Sequence, residues 1–96
     1  MPRVEYSPRA LAHAEKLVEF LRETDPRAAE GTWALIESAV NTLREHPFIG
    51  RALDQGLREL VISRGKSGHL ALYGYAEEAD RVVVLALRHQ REAGYE

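Results

Sequence analysis

Six consecutive apolar residues, Val82–Leu87, constrain the fold of this chain more than any other feature. Such a run is typical of a strand that is buried on both faces. It is followed directly by cations, an imidazole and a phenol: Arg88, His89, Arg91 and Tyr95. A chain of 96 residues can build only one modest core. A buried strand that ends in these polar side chains is therefore the first candidate for a functional site.

Two amphipathic segments precede that strand, and each begins with the same signal. Ser7-Pro8 and Asp25-Pro26 both combine a capping side-chain oxygen with a proline that suits the first position of a helix. The first helix is predicted to end at about Glu23, and the second is predicted to end at His46-Pro47. The tight turn between them predicts an antiparallel helical hairpin.

Four segments have the pattern of strands: Arg3–Tyr6, Leu57–Ile62, His69–Tyr75 and Val82–Leu87. Residues 48–56 are predicted to form a connecting loop and residues 64–68 a turn. Tyr73 and Tyr75 are expected to pack through their rings while their hydroxyls stay in water. The predicted fold class is α+β, with an N-terminal strand and a helical hairpin packed on a three- to four-stranded, mainly antiparallel sheet, in a single domain of residues 1–96.

Composition narrows the possible functions. The chain has no cysteine, which excludes disulfides and thiolate metal sites, and its four histidines lack metal-type spacing, so we expect no metal and no other cofactor. The net charge of −2 lowers the expectation of a nucleic-acid partner, because phosphate binding usually needs a basic protein. Without a signal-peptide pattern or a long apolar run, the chain is expected to be cytoplasmic, with no membrane partner.

Several fragments resemble the RelE/ParE family, the toxins of bacterial type II toxin–antitoxin pairs. They are the hinge formed by Pro47, Gly50 and Arg51, the Leu-Arg-Glu-Leu strand that starts at Leu57, the segment Leu70–Tyr73, and the ending His89-Gln90-Arg91-Glu92 with Tyr95. The predicted order of strands and helices also matches that family, so the resemblance covers nearly the whole chain. It implies the fold predicted above and a cognate antitoxin with which the chain forms a hetero-oligomer.

The family resemblance implies two alternative activities. RelE-like members cut messenger RNA on the ribosome, whereas ParE-like members bind and stall DNA gyrase. A nuclease would use His89, Arg91 and Tyr95 as catalytic residues, since cleavage needs proton transfer and cations for the phosphorane. In either case the candidate target-binding residues are Arg58, on the predicted strand Leu57–Ile62, and Arg88 and Gln90, which follow the last predicted strand.

Two departures favour the ParE-like alternative. RelE-like nucleases typically carry an arginine early in the third strand, where this chain has Leu70, and another after the last strand, where it has Gln90. Glutamine cannot neutralise a phosphorane. We therefore predict a toxin that inhibits gyrase and is not an enzyme, with a ribosome-dependent endoribonuclease and an inactive toxin-like binding module as alternatives. Arg58 as an ordinary surface cation and His89 as a structural imidazole remain open alternatives to site roles.

Overall fold

The computed structural model describes residues 1–63, 68–90, 92, 94 and 95 of the chain. Of the predicted turn at residues 64–68, only Gly68 falls within this described part. Arg91, one of the candidate catalytic residues, lies outside it. Within the described part, neither helix combines the length and the apolar composition that crossing a bilayer requires.

Two capped helices form the predicted hairpin. Helix α1 spans Pro8–Thr24 and helix α2 spans Pro26–Asn41. The Ser7 hydroxyl accepts a hydrogen bond of 3.1 Å from an amide in the first turn of α1, and the Asp25 carboxylate accepts one of 3.3 Å in α2. Asp25 is the single residue between the helices, and its amide closes α1 by donating to the carbonyl of Leu21. Both predicted caps are confirmed.

The strands form one mixed sheet of five strands, not three to four. They are β1 (Arg3–Tyr6), β2 (Arg51–Ala52), β3 (Leu57–Val61), β4 (His69–Ala76) and β5 (Arg81–His89). Their order across the sheet is β1-β5-β4-β3-β2. Strand β1 runs parallel to β5, and all other neighbours are antiparallel. The predicted mainly antiparallel sheet under a helical hairpin is confirmed, and the N-terminal strand joins it.

The additional strand is β2, which the sequence places inside a connecting loop. Arg51 pairs with Glu59, and Ala52 pairs with Arg58. A strand of two residues has no hydrophobic periodicity, so the pattern that identifies the other strands cannot find it. The pairing sets Arg51 directly beside Glu59 on one face of the sheet, because cross-strand partners point to the same side.

The helices cover one face of the sheet, called the inner face below. The core between them consists of Ala10, Ala14, Ile36, Val40, Leu43, Leu60, Ala71, Tyr73, Val82, Val84 and Leu87. A register shift between Leu72 and Tyr73 changes the alternation of β5, so that Val84 and Leu87 both join this core. On the opposite, outer face Val83 is only half-buried. Strand β5 is therefore buried on its inner face, as predicted, but only partly buried on its outer face.

Tyr73 connects the core to the loop that leads into β2. Its side chain is fully buried, and its hydroxyl donates to the Pro47 carbonyl at 2.9 Å and accepts from the Gly50 amide at 2.8 Å. The expectation of a wet hydroxyl is wrong for Tyr73, because the loop supplies both hydrogen-bond partners inside the protein. Tyr75 differs, since its hydroxyl binds the Asp80 carboxylate at the surface at 2.9 Å.

Replacing Tyr73 with phenylalanine tests this connection. Tyr73→Phe leaves the buried Gly50 amide and the partly buried Pro47 carbonyl without their partner, which is expected to lower the free energy of unfolding by about 1–3 kcal/mol. Tyr75→Phe is the matched control, because it removes a hydroxyl that bonds at the surface, and is expected to change stability by less than about 0.5 kcal/mol. Urea denaturation of both variants measures the difference. Equal losses would contradict the proposed role of the Tyr73 hydroxyl.

Candidate functional site

The outer face of the sheet carries a carboxylate at its middle. Glu59 pairs with Arg51 on one side and with Leu72 on the other, and Arg88 of β5 pairs with Leu70 of β4. Because these residues alternate with the core residues of the inner face, their side chains share the outer face. Glu59 is nevertheless only 7% exposed. A buried carboxylate on a strand requires partners, and the structure supplies three.

The partners of Glu59 are two guanidinium groups and one phenol. One carboxylate oxygen accepts a hydrogen bond from Arg51 at 2.9 Å, and the other accepts one from the Tyr95 hydroxyl at 2.8 Å. The Arg88 guanidinium lies 3.8 Å from that second oxygen and 5.1 Å from the centre of the Tyr95 ring. We refer to Arg51, Glu59, Arg88 and Tyr95 as the Glu59 cluster.

The electrostatics of the cluster fix its protonation state. Burial alone would raise the pKa of Glu59, but the hydrogen bonds from Tyr95 and Arg51 and the charges of Arg51 and Arg88 outweigh it, so the pKa of Glu59 is lowered. Burial, together with the adjacent Glu59 carboxylate, raises the pKa of Tyr95 well above its ordinary value. Near neutral pH the cluster therefore holds an ionised carboxylate and a protonated phenol.

Tyr95 reaches the cluster from beyond the end of β5. The backbone carbonyl of Tyr95 accepts a hydrogen bond of 2.9 Å from the guanidinium of Arg9, at the start of α1. Arg88 donates to the carbonyl of Glu92, and the Glu92 carboxylate accepts from the amide of His89 at 3.0 Å. These contacts hold Tyr95 on the outer face although it lies outside any strand.

His89 belongs to the opposite side of the sheet. It pairs with His69 across β4 and β5, and the two rings meet edge to face with their centres 5.3 Å apart. Burial, followed by the nearby His89, lowers the pKa of His69. Between α1 and the end of β5 lies a cavity of about 290 Å³, lined by His13, Lys16, Leu17, Phe20, Leu87, Arg88, His89 and Glu92. Within it, His13 accepts a hydrogen bond from the Leu87 amide at 3.1 Å through Nδ1.

The structure brings some predicted site residues together and separates others. Arg88 and Tyr95 meet in the Glu59 cluster, whereas the register of β5 points His89 to the inner side. Arg58 contacts the loop before β2, where it donates to the Gly50 carbonyl at 2.8 Å. The backbone amide of Gln90 donates a hydrogen bond of 2.9 Å to the backbone carbonyl of Gly68.

Sequence reasoning missed Glu59, the centre of the cluster. The signal was present in the Leu-Arg-Glu-Leu strand, where alternation puts Glu59 on the same face as Leu57 and Val61. A carboxylate among apolar neighbours on a strand has to find cations, and Arg51 and Arg88 were available. Arg51 entered only as part of a hinge motif, because its strand was not recognised.

The Glu59 cluster stabilises the outer face of the sheet and is poorly suited to acid–base catalysis. A phenol with a raised pKa stays protonated near neutral pH and so cannot accept a proton, and guanidinium groups whose charge a carboxylate partly offsets attract a phosphate less strongly. Among the residues that the structure describes, no group of three or more His, Asp or Glu side chains could hold a metal ion.

Comparisons with known proteins agree on one family. The family model described as the ParE toxin of the type II toxin–antitoxin system parDE matches residues 4–94. The chain is 36% identical to Toxin RelE3 of Caulobacter vibrioides over 92 residues, which cover 96% of this chain and 98% of that protein.

Solved structures show the same fold. The chromosomal ParDE system of P. aeruginosa gives a TM-score of 0.76 at 16% identity, covering 93% of this chain and 96% of the matched one. The RelBE2 toxin–antitoxin complex of Mycobacterium tuberculosis gives a TM-score of 0.63 at 24% identity, covering 95% and 93%. The family resemblance predicted from the sequence is thus confirmed, and the chain belongs to the ParE toxin family of type II toxin–antitoxin systems.

Proposed function

We propose that this protein stalls DNA gyrase by protein–protein contact, as ParE-like toxins do, and thereby inhibits growth in the cytoplasm of the cell that makes it. A cognate antitoxin neutralises it by binding directly. In this proposal the toxin makes and breaks no bond, so its activity depends on the shape and charge of its surface and not on proton-transfer groups.

The observation that carries the proposal is the Glu59 carboxylate at the middle of the outer face. A phosphorane in the transition state of RNA cleavage needs cations that are free to bind it. Here the ionised Glu59 already binds Arg51 and lies beside Arg88, so its negative charge offsets one of the two positive charges and weakens their attraction for a phosphate. Leu70, which stands where RelE-like nucleases typically have an arginine, lies on this same face as the cross-strand partner of Arg88.

One observation favours the alternative of a ribosome-dependent endoribonuclease. The relative that matches over nearly its whole length is named Toxin RelE3. A nuclease would have to rely on His89 or Tyr95 together with Arg58 and Arg91. Alternation along β5 points His89 to the inner face, whereas Tyr95 binds Glu59 of the outer face, and this supports the proposal over a shared acid–base pair.

We propose the groove between the two helices as the binding site of the antitoxin. It has a volume of about 800 Å³ and is lined by Leu11, Ala14, Glu15, Val18, Glu19, Arg22, Pro26, Ala29, Glu30 and Trp33. Apolar side chains provide a floor onto which an amphipathic helix can lay its apolar face. The solved structures of the same fold include toxin–antitoxin complexes, which supports a partner of this kind for the present chain.

Purified protein should inhibit the supercoiling activity of gyrase. We expect inhibition of supercoiling by the wild-type chain, and no cleavage of messenger RNA in a translation reaction that contains ribosomes, because Glu59 already engages Arg51 and borders Arg88 on the outer face. Addition of the product of the neighbouring reading frame should relieve the inhibition. Message cleavage without an effect on gyrase would reverse the assignment, and a chain that is harmless on induction would favour the inactive binding module.

Substitution of the two candidate proton-transfer groups separates contact from catalysis. Tyr95→Phe and His89→Gln should each retain growth inhibition, because neither hydroxyl nor imidazole takes part in chemistry. Loss of a general acid or base would instead lower activity by about 10²–10⁴-fold. Colony counts after induction, normalised to the amount of folded protein, measure this. A fall of that size in either variant would favour the nuclease.

A charged side chain introduced into the helical groove should weaken antitoxin binding without lowering the activity of the toxin. Leu11 lines the groove and is 45% exposed, whereas Leu35 of α2 is 44% exposed and does not line it. Leu11→Asp is expected to weaken antitoxin binding at least tenfold, because it buries a charge against an apolar helix. Leu35→Asp, the matched control, should bind normally. Calorimetric titration measures both, and equal affinities would exclude this groove as the binding site.

A further inference from the structure

The loop before β2 exposes two large apolar side chains in succession. Phe48 is 51% exposed and Ile49 is 59% exposed, between Pro47 and the buried Gly50. We call residues 47–50 the apolar loop. Neither side chain belongs to the core between the helices and the sheet. Exposed apolar residues that occur singly are common, but an adjacent pair on one loop calls for an explanation.

The backbone of the apolar loop is fixed from both ends and from its middle. The buried hydroxyl of Tyr73 binds the Pro47 carbonyl and the Gly50 amide. The guanidinium of Arg58 donates to the Phe48 carbonyl at 3.0 Å and to the Gly50 carbonyl at 2.8 Å. The loop is therefore tied to two neighbouring strands, β3 and β4. The Phe48 ring also packs edge to face on Tyr75 of β4, with 5.2 Å between the ring centres, yet Phe48 and Ile49 both stay more than half exposed.

Glycine is required where the loop meets the core. A Cβ atom at Gly50 would lie 2.6 Å from both the ring and the hydroxyl of Tyr73, closer than real Cβ contacts allow. The loop thus packs its backbone directly onto Tyr73 and leaves no room for a side chain between them. This close approach turns Phe48 and Ile49 outward on a rigid support.

A rigid, exposed apolar pair is a favourable protein-binding anchor. Binding usually costs free energy because side chains and loops have to be ordered, and a loop that is already fixed avoids most of that cost. Anchors of this kind fill pockets on the partner and account for most of the binding free energy of an interface. Ile49 keeps most of its surface in water, so the fold itself gains little from an isoleucine there.

The charges beside the apolar loop indicate the character of the partner. The Arg58 guanidinium lies 5.0 Å from the centre of the Phe48 ring. Unlike Arg51, which binds Glu59, Arg58 donates hydrogen bonds to neutral carbonyls and keeps its charge beside the loop. A guanidinium beside an apolar pair is complementary to an apolar pocket that carries carboxylates at its rim.

From these contacts we infer that the apolar loop is the surface through which this toxin docks onto its protein target, by inserting Ile49 and Phe48 into an apolar pocket rimmed by carboxylates. This inference rests on the proposed action by protein–protein contact. It is separate from antitoxin binding, because none of the residues that line the helical groove belongs to the loop.

Substitutions at Ile49 test the inference with the full-length protein. Ile49→Ser should lower inhibition of gyrase and of growth at least tenfold, as loss of an anchor does, while the urea unfolding midpoint and the affinity for the antitoxin stay unchanged. Ile49→Val should retain most of the activity. Leu35→Ser, which removes a comparably exposed leucine elsewhere, should behave as wild type. Ile49→Asp should lose more activity than Ile49→Lys, because an added carboxylate would face the carboxylates of the rim.

The outcomes that overturn the inference are distinct from those that overturn the proposed function. If the wild type inhibits gyrase and Ile49→Ser inhibits it equally, the docking surface lies elsewhere while the proposed function stands. If Ile49→Ser loses antitoxin binding but keeps its toxicity, the loop is an antitoxin contact and the inference is wrong. A larger loss for Ile49→Lys than for Ile49→Asp would refute the carboxylate rim. Message cleavage by the wild type would refute the proposed function, and the inference with it.

Discussion

The fold depends on the contacts that α1 makes with the second half of β5, along the edge that β1 leaves unpaired. Strand β1 stops at Tyr6, so the later backbone groups of β5 would face solvent on that side. Instead the chain turns, and Ser7 donates its amide to the Val84 carbonyl at 2.8 Å and its hydroxyl to the next carbonyl at 3.1 Å. His13, one turn into α1, accepts from the Leu87 amide. Because Ser7 also caps α1, one residue fixes the helix to the strand that carries the C-terminal segment.

That anchoring has a consequence for the outer face. A strand held in the middle of the sheet brings Arg88 to the same face as Glu59, and the segment that follows returns Tyr95 to it. Taking a carboxylate out of water costs several kcal/mol, and its partners offset the cost only when its hydrogen bonds are satisfied. Hydrogen bonds from Arg51 and Tyr95 meet that condition, and the Arg88 guanidinium adds an ion pair at 3.8 Å. The positive charge of the two guanidinium groups is thereby partly offset on this face.

The parts of this fold that were predictable are those with a local signal. Ser7-Pro8 and Asp25-Pro26 mark both helix starts, and the run Val82–Leu87 marks the last strand. The parts that were missed depend on a partner distant in the sequence. Arg51–Ala52 becomes a strand only because β3 lies beside it, and the Tyr73 hydroxyl is buried only because a loop more than 20 residues earlier packs over it. Such contacts leave no periodicity in the sequence.

The candidate site, like the missed parts of the fold, depends on contacts between residues that are distant in the sequence. Arg88, His89 and Tyr95 are close in sequence. Alternation along β5 nevertheless places Arg88 on the outer face and His89 on the inner face. Tyr95 lies on the side of Arg88, because its hydroxyl donates a hydrogen bond to Glu59. Proximity in sequence therefore suggested one reactive rim where the fold makes two unlike surfaces. A toxin that cleaves RNA has to converge its reactive groups on a single phosphate. A toxin that acts by contact needs only rigid features that face solvent. The apolar loop with Phe48 and Ile49 is such a feature, which is why we propose action by contact for this chain.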